Sequence, residues 1–268
     1  MAFVDIHAHI YPEKIAAKAV KAVGAFYGVD NMLGNGTAQG LLAARATTPI
    51  THFVVHSVAT TPQHVESINN FIAAQCAEHP EFIGFMTMHQ DYENPAQEVK
   101  RALDLGLCGM KIHTDTQRVN LDDPRLMRVY EAIEGRLPII IHTGDYRYDF
   151  SNPRRLLNVL KTFPNLVVDA AHFGNWSCFD RGYDILAAAE PFENLFVDTS
   201  SSSWWLGQRH TVELARLWGT HRVMFGSDFP MWSPDEEYRL ITTAGFTAEE
   251  LANITWHNAE RFLGRSVD

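Results

Sequence analysis

Residues 3–9 read FVDIHAH, an apolar, β-branched run that ends in two histidines. A short run of this kind followed by polar residues is typical of a buried parallel strand. Seven similar runs follow at intervals of roughly 25 to 30 residues, the length of one strand–helix unit. They are HFVVHS from His52, FIGFMTMH from Phe82, LCGMKIH from Leu107, LPIIIH from Leu137, NLVVDAAH from Asn165, NLFVDTS from Asn194 and RVMFGSD from Arg222.

Helix-length segments separate these runs at 62–78, 94–106, 123–135 and 152–163. A capping residue followed by proline, which favours a helix start, recurs at Asn94-Pro95, Asp123-Pro124, Asn152-Pro153 and Ser233-Pro234. Eight such units with no linker predict one α/β domain over residues 1–268, a (β/α)8 TIM barrel. An open doubly wound sheet is the alternative. The Gly- and Asn-rich interval GAFYGVDNMLGNGTAQG between the first two strands predicts a loop over the barrel mouth.

The composition of the chain argues against several classes of protein. The chain has 268 residues, a formal charge of −10, three cysteines and 13 histidines. The negative charge argues against a nucleic-acid partner. The cysteines form no CxxC pair, and the sequence shows neither a signal peptide nor an apolar stretch of about 18 residues. These observations predict a cytoplasmic protein without a membrane partner.

The histidines are concentrated where the predicted strands end. Asp228 ends the eighth strand, and histidines end six others: His7 and His9, His56, His89, His113, His142 and His172. Because the active sites of barrel enzymes lie at the carboxyl ends of the strands, these side chains are predicted to meet at one mouth. Such a gathering of imidazoles indicates metal or acid–base chemistry.

Asp5-Ile6-His7-Ala8-His9 is the most informative motif. Side chains alternate along a strand, so His7 and His9 share a side and present two imidazoles at a spacing suited to one metal ion. Asp5 lies on the same side one step deeper. It is positioned to accept a hydrogen bond from an imidazole N–H or from a backbone group, and so to orient a ligand.

Six motifs together resemble the amidohydrolase superfamily, in particular its amidohydrolase-related branch of metal-dependent TIM barrels, which includes aminocarboxymuconate-semialdehyde decarboxylase-like enzymes. The motifs are DIHAH, GMKIHTD, PIIIHTGD, DAAHFGN, FGSDFP and HNAERFL, between Asp5 and Leu263. The resemblance implies that a divalent metal, commonly zinc, binds His7, His9, His142 and Asp228. It also implies that His172 is a catalytic group or a ligand of a second metal.

The fourth strand leaves the number of metal ions open. Lys111 and His113 share one side of it, and in two-metal members of the superfamily a carboxylated lysine bridges the ions. Lys111 is either that bridge or a free ammonium that neutralises a substrate carboxylate. The mononuclear site is favoured because the branch resembled is mostly mononuclear.

The main functional hypothesis is hydrolysis of a small amide, lactone or ester by a metal-activated water. In it, Asp228 takes the proton of the water, and His172 helps to stabilise the oxyanion.

The alternative is non-hydrolytic decarboxylation of a small unsaturated or aromatic carboxylate. That reaction needs a cation for the carboxylate, which Arg147 or Lys111 supplies. Trp204 either covers an apolar ligand or packs against a neighbouring loop or subunit.

The sequence gives less support to two further functional hypotheses. A non-catalytic binding module would not need the full ligand set. A TatD-like nuclease would carry an acidic residue on the fourth strand, where GMKIH stands. A small-molecule substrate is expected, and a homodimer is the expected assembly, because barrels of this family commonly pair.

Overall fold

Eight short parallel strands follow one another around a barrel. The structure is a computed structural model that describes residues 3–188 and 192–267. Each strand pairs with the next along the chain, which confirms the predicted (β/α)8 architecture. The strands are β1 (Val4–His9), β2 (His52–His56), β3 (Phe82–Thr87), β4 (Gly109–Ile112), β5 (Ile139–Ile141), β6 (Val168–Ala170), β7 (Leu195–Asp198) and β8 (Val223–Met224).

Backbone hydrogen bonds join β1 to β8 and to the segment that follows it. The Ile6 N–H donates to the Phe225 carbonyl at 2.9 Å, and the Asp228 N–H donates to the His7 carbonyl at 2.8 Å. An open sheet would leave the first and last strands as separate edges. The doubly wound alternative is therefore wrong.

Helices fill the intervals between strands, and proline begins α4, α6, α7 and α10 as predicted. The side chains of Asp123 and Asn152 cap α6 and α7 by accepting a backbone N–H two residues later. The helices are α1 (Glu13–Tyr27), α2 (Ala38–Ala43), α3 (Val65–Glu78), α4 (Pro95–Asp104), α5 (Thr114–Gln117), α6 (Pro124–Ile133), α7 (Pro153–Thr162), α8 (Asp180–Leu186), α9 (Ser203–Trp218), α10 (Pro234–Thr242), α11 (Ala248–Ala252) and α12 (Asn258–Leu263). Within the described residues, none is both long and apolar enough to cross a membrane.

The Gly- and Asn-rich interval predicted as a loop is irregular over residues 28–37, while its first four residues belong to α1 and its last three to α2. Helix α1 includes the GAFY segment and ends at Gly28, whose φ is 70°. Irregular backbone then leads to α2, which Thr37 caps by accepting the Gly40 N–H at 3.0 Å. The glycines mark a helix end and a turn, and the mouth is flanked by a 15-residue helix.

An apolar layer fills the barrel interior beneath the polar strand ends. It contains Ile6, Val54, Phe85, Ile140, Phe196 and Met224, all buried. The Phe262 ring on α12 joins this layer, with its centroid 6.1 Å from Phe85 and 5.7 Å from Phe196. Helix α12 therefore covers the amino end of the barrel, opposite the strand ends that carry the histidines.

Asn258 fastens α12 to β8, and its loss should destabilise the barrel. Its buried Nδ2 donates to the carbonyls of Thr220 at 2.7 Å and Val223 at 2.6 Å. Asn258→Ala leaves these carbonyls unpaired and should lower the free energy of unfolding by about 1–3 kcal/mol in a denaturant titration. The control, His257→Ala at an exposed position, should change it by less than about 0.5 kcal/mol. Equal losses in the two variants would contradict this role.

Candidate metal centre

The carboxyl ends of the strands surround a cavity of about 740 Å³. All the side chains predicted to bind metal or to catalyse line it, and all but half-buried His9 are buried. The polar lining at the strand ends consists of His7, His9, Lys111, His113, His142, His172 and Asp228.

Three of the predicted ligand atoms converge. The Nε2 atoms of His7 and His9 lie 3.5 and 3.7 Å from Asp228 Oδ1. Two atoms that each bind a tetrahedral metal ion at about 2.0–2.1 Å are about 3.4 Å apart. Ser201 Oγ donates to the other carboxylate oxygen of Asp228, so Oδ1 is left to face the two imidazoles.

Asp198, at the end of β7, orients His7. His7 Nδ1 donates to Asp198 Oδ2 at 2.7 Å, which fixes the tautomer with a lone pair on Nε2. The sequence analysis offered Asp5 two partners, an imidazole or a backbone group, and the structure shows backbone groups. Asp5 Oδ1 accepts the N–H groups of His7 at 3.1 Å and Ser227 at 3.0 Å.

His142 and His172 point lone pairs at each other. His142 Nε2 donates to the Gly144 carbonyl at 3.0 Å, and His172 Nδ1 donates to the Ser200 carbonyl at 2.9 Å. The remaining nitrogens, His142 Nδ1 and His172 Nε2, are 3.0 Å apart. In neutral imidazoles both are acceptors, so the arrangement requires a proton or a metal ion beside them.

Burial favours the neutral form of three imidazoles of the site, those of His7, His9 and His142. It lowers the pKa of His7, His9 and His142 well below the usual value, and the Lys111 ammonium adds to the effect. Neutral imidazole is the form that binds metal. His7, His9 and His142 therefore keep lone pairs that a metal ion can use.

The donor set fits a divalent cation. Imidazole nitrogens with one carboxylate oxygen suit zinc, manganese, iron or cobalt. His56 adds an independent observation, because both its ring nitrogens are buried without a hydrogen-bond partner among the described residues. Its ring centroid is 4.4 Å from that of His9, so unpartnered donor atoms gather at the centre.

Backbone strain is concentrated at the same strand ends. His172 and Asp228 have φ values of 62° and 59°, in the left-handed region that L-residues rarely occupy. Each costs roughly 1–3 kcal/mol and persists where the surroundings enforce it. Gly144 has φ of 84°, and a Cβ there would lie 2.3 Å from Asn175 Oδ1, so this turn requires glycine.

Lys111 reaches into the centre from β4. Its buried Nζ donates to His7 Nε2 at 3.0 Å and forms no ion pair with a described residue. Burial lowers the pKa of Lys111 to about 8, and the carboxylates of Asp228 and Asp198 limit the shift. A positive charge of this kind is available to an anion that enters the cavity.

Arg147 and Trp204 do not line the cavity. Arg147 forms two hydrogen bonds with the Asp145 carboxylate, at 2.6 and 2.9 Å, so its charge is already neutralised. Trp204 is 56% exposed and stacks on Trp232 with ring centroids 5.6 Å apart. Trp204 lies in the first turn of α9, and its contact with Trp232 fits the second alternative, packing against a neighbouring loop.

Tyr27 and Arg118 line the cavity and were missed by the sequence analysis. Tyr27 ends α1, and its hydroxyl lies 2.5 Å from His113 Nε2. The aromatic residues before Gly28 were a usable signal. Arg118 is exposed and forms no ion pair with a described residue, and nothing in its local sequence marked it.

His113 stacks on His142 with ring centroids 3.8 Å apart and planes 8° from parallel. The ligand atoms of His113, His142 and Asp115 lie within 4.8 Å of one another. His113 is therefore placed either to share a metal ion with His142 or to contact substrate.

A curated relative with similar sequence is 2-amino-3-carboxymuconate-6-semialdehyde decarboxylase of Dictyostelium discoideum. It is 27% identical over 238 residues, which cover 74% of this chain and 65% of the relative. The matched region thus spans somewhat less than two thirds of the relative's length.

Two solved structures share the fold. A 2,6-dihydroxybenzoate decarboxylase from Rhizobium superposes with a TM-score of 0.74 at 16% identity, covering 98% of this chain and 99% of that one. A dihydroxybenzoic acid decarboxylase from a Polaromonas species, with bound manganese and 2-nitroresorcinol, gives 0.71 at 15% identity, covering 98% and 97%.

The sequence model of the amidohydrolase family matches residues 4–265. This match includes all eight strands and every side chain of the centre described above. The predicted resemblance is confirmed, and the protein belongs to the amidohydrolase family of enzymes.

Proposed function

We propose that this protein is a metal-dependent decarboxylase of a small aromatic or unsaturated carboxylate. This was the alternative to ester, lactone or amide hydrolysis, and the decarboxylases among its relatives favour it. The proposed ligands of one divalent ion, manganese or zinc, are His7, His9, His142 and Asp228.

The main support for this proposal is the buried ammonium of Lys111. Its only side-chain hydrogen bond among the described residues goes to His7 Nε2. A metal ion on His7 would take that lone pair and leave the ammonium without a hydrogen-bond acceptor among the described residues, while the carboxylates of Asp228, Asp198 and Asp169 act on its charge from a longer distance. An anion within hydrogen-bond distance would stabilise such a buried cation. A substrate carboxylate supplies this anion, whereas a neutral ester or amide does not.

When bound, the divalent ion acts as a Lewis acid that draws electron density towards the oxygens of the substrate. The residues of the chain orient the ring around it. Lys111 pairs with the carboxylate, and Tyr27 and His113 offer a hydroxyl and an imidazole from the side of α1. The surrounding wall is largely apolar, so these polar contacts act in a region poor in water.

The proton step is assigned to His172. The Ser200 carbonyl accepts its Nδ1–H, so Nε2, which lies 3.0 Å from His142 Nδ1, is the nitrogen left to carry a proton towards the substrate. The bond between the ring carbon and the carboxylate breaks, and its electron pair stays on that carbon. The proton from His172 forms the new C–H bond, carbon dioxide leaves, and water returns the proton to the imidazole.

Trapping the product separates the two chemistries. Manganese-loaded protein should release one carbon dioxide per 2,6-dihydroxybenzoate or 5-carboxyvanillate consumed, and in D2O one deuterium should enter the carbon that lost the carboxylate. A chelator should stop the reaction, and added metal should restore it. Acid release from esters or lactones, with no carbon dioxide from any aromatic carboxylate, would establish hydrolysis instead.

Replacing Lys111 with methionine tests whether its buried charge binds the substrate carboxylate. Lys111→Met keeps the side chain's length and removes its charge, so kcat/KM should fall roughly 10- to 150-fold, as expected for one charge-assisted hydrogen bond. Manganese content should not change. Lys100→Met, at an exposed lysine paired with Asp104, should have no effect. Full activity in Lys111→Met would remove the basis for a carboxylate substrate.

Asp198→Asn tests the orientation of His7. Loss of the carboxylate that holds Nδ1 should weaken metal binding roughly 10- to 100-fold, as outer-sphere partners of metal-binding histidines typically do. Competition with a fluorescent chelator measures this without any substrate. Asp104→Asn, at an exposed carboxylate away from the centre, is the control. Unchanged affinity would show that His7 is not a ligand.

A further inference from the structure

The cavity continues past the metal centre into a gap between α1 and α3. Its apolar walls there are Ile15, Ala19 and Val23 from α1 and Ile68 and Phe71 from α3, and the same two helices add the polar side chains of Lys14 and Ser67. We call this part of the cavity the α1–α3 cleft. The proposed metal ligands line the same cavity, so a molecule held at the metal can extend directly into the cleft.

Helix α1 turns an apolar stripe towards this space. Ile15, Ala19, Val23 and Phe26 fall on one face, because residues three and four apart are neighbours on a helix. Protein atoms cover this stripe only in part: Ile15 is 44% exposed, and α1 buries only Ala16 and Gly24 fully. An amphipathic helix normally packs such a face against the core. Here the face lines a cavity.

The cavity is larger than a simple ring acid requires. Its volume of about 740 Å³ is typical of sites for drug-sized ligands. A dihydroxybenzoate has about eleven non-hydrogen atoms and fills less than half of that volume, even at the roughly 30 Å³ that a water molecule occupies in the liquid. With the ring of the substrate at the metal, the part of the cavity in the α1–α3 cleft stays unfilled.

We infer that the substrate is a ring carboxylate with an apolar substituent of about four to eight carbons, which lies in the α1–α3 cleft. This inference rests on the proposed decarboxylation. The carboxylate pairs with Lys111, the ring stands between the histidines and Tyr27, and the substituent packs between the two helices. Ala19, Val23 and Ile68 are then specificity-determining residues, and none of them touches the reacting atoms.

A homologous series of ligands tests the inference. The probes are 2,6-dihydroxybenzoate and its 4-alkyl derivatives with two, four, six and eight carbons. Calorimetry with the manganese-loaded protein should show affinity rising up to about fourfold per methylene until the cleft is filled. The increase in affinity per methylene should also appear in metal-free protein, because the cleft contains none of the proposed metal-binding residues.

Two variants and one control test whether the dependence of affinity on chain length arises in the α1–α3 cleft. Ala19→Phe fills the α1–α3 cleft and should abolish the gain with chain length, so that the 4-hexyl and the unsubstituted acid bind equally to this variant. Val23→Thr keeps the volume, adds a hydroxyl and should reduce the gain. Ala17→Phe places the same ring on an exposed part of α1 outside the cavity and should leave the slope unchanged.

The outcomes distinguish this inference from the function on which it rests. Carbon dioxide release from the unsubstituted acid, with no dependence on chain length, would overturn the inference and keep the function. Failure of every probe to bind or to lose carbon dioxide would overturn both. A wild-type dimer that Ala19→Phe dissociates in sedimentation, with a flat chain-length series, would make the cleft an interface between copies and overturn the inference.

Discussion

The hydrogen bond from the Asp228 N–H to the His7 carbonyl joins the segment after the last strand to the first strand. It helps to close the barrel, and it brings the Asp228 carboxylate against the imidazoles of His7 and His9. Closure and the metal centre therefore depend on the same contact. Every other strand end is placed by the ring that this contact completes, because parallel strands in a closed barrel direct all their carboxyl ends to one mouth.

Several features of the candidate metal centre lower the stability of the folded protein, and other contacts must offset them. His172 and Asp228 hold left-handed backbone, Lys111 is a buried ammonium, and His56 keeps two unpartnered nitrogens. Each is unfavourable for a folded protein by itself. The apolar layer beneath, from Ile6 to Met224, and the α12 cover supply burial that does not depend on the site. Strain at the mouth and stability at the base are thus separated along the barrel axis.

The strands and the proline-initiated helices could be predicted because they depend on local patterns: apolar runs, caps and prolines. The strand-end histidines could be predicted to meet because barrel topology permits one arrangement. Asp198 could not be assigned to His7, since the two are far apart in sequence and are joined by a side-chain contact across the barrel. Arg147 was a plausible anion site until its neighbour Asp145 proved to neutralise it. The predicted loop includes the last four residues of α1, because Gly24 and the glycine- and asparagine-rich segment after it favour irregular backbone.

Asp198 reaches two strands at once, since one oxygen accepts the His7 imidazole and the other accepts the His172 backbone N–H. His7 lies near one end of the described chain, while Asp198 and Asp228 lie near the other. During synthesis the amino-terminal histidines therefore leave the ribosome long before the carboxylates that orient and complete their site. A metal ion held by the proposed ligands would have to wait for β7 and β8, so an almost complete barrel and not a nascent peptide would select it.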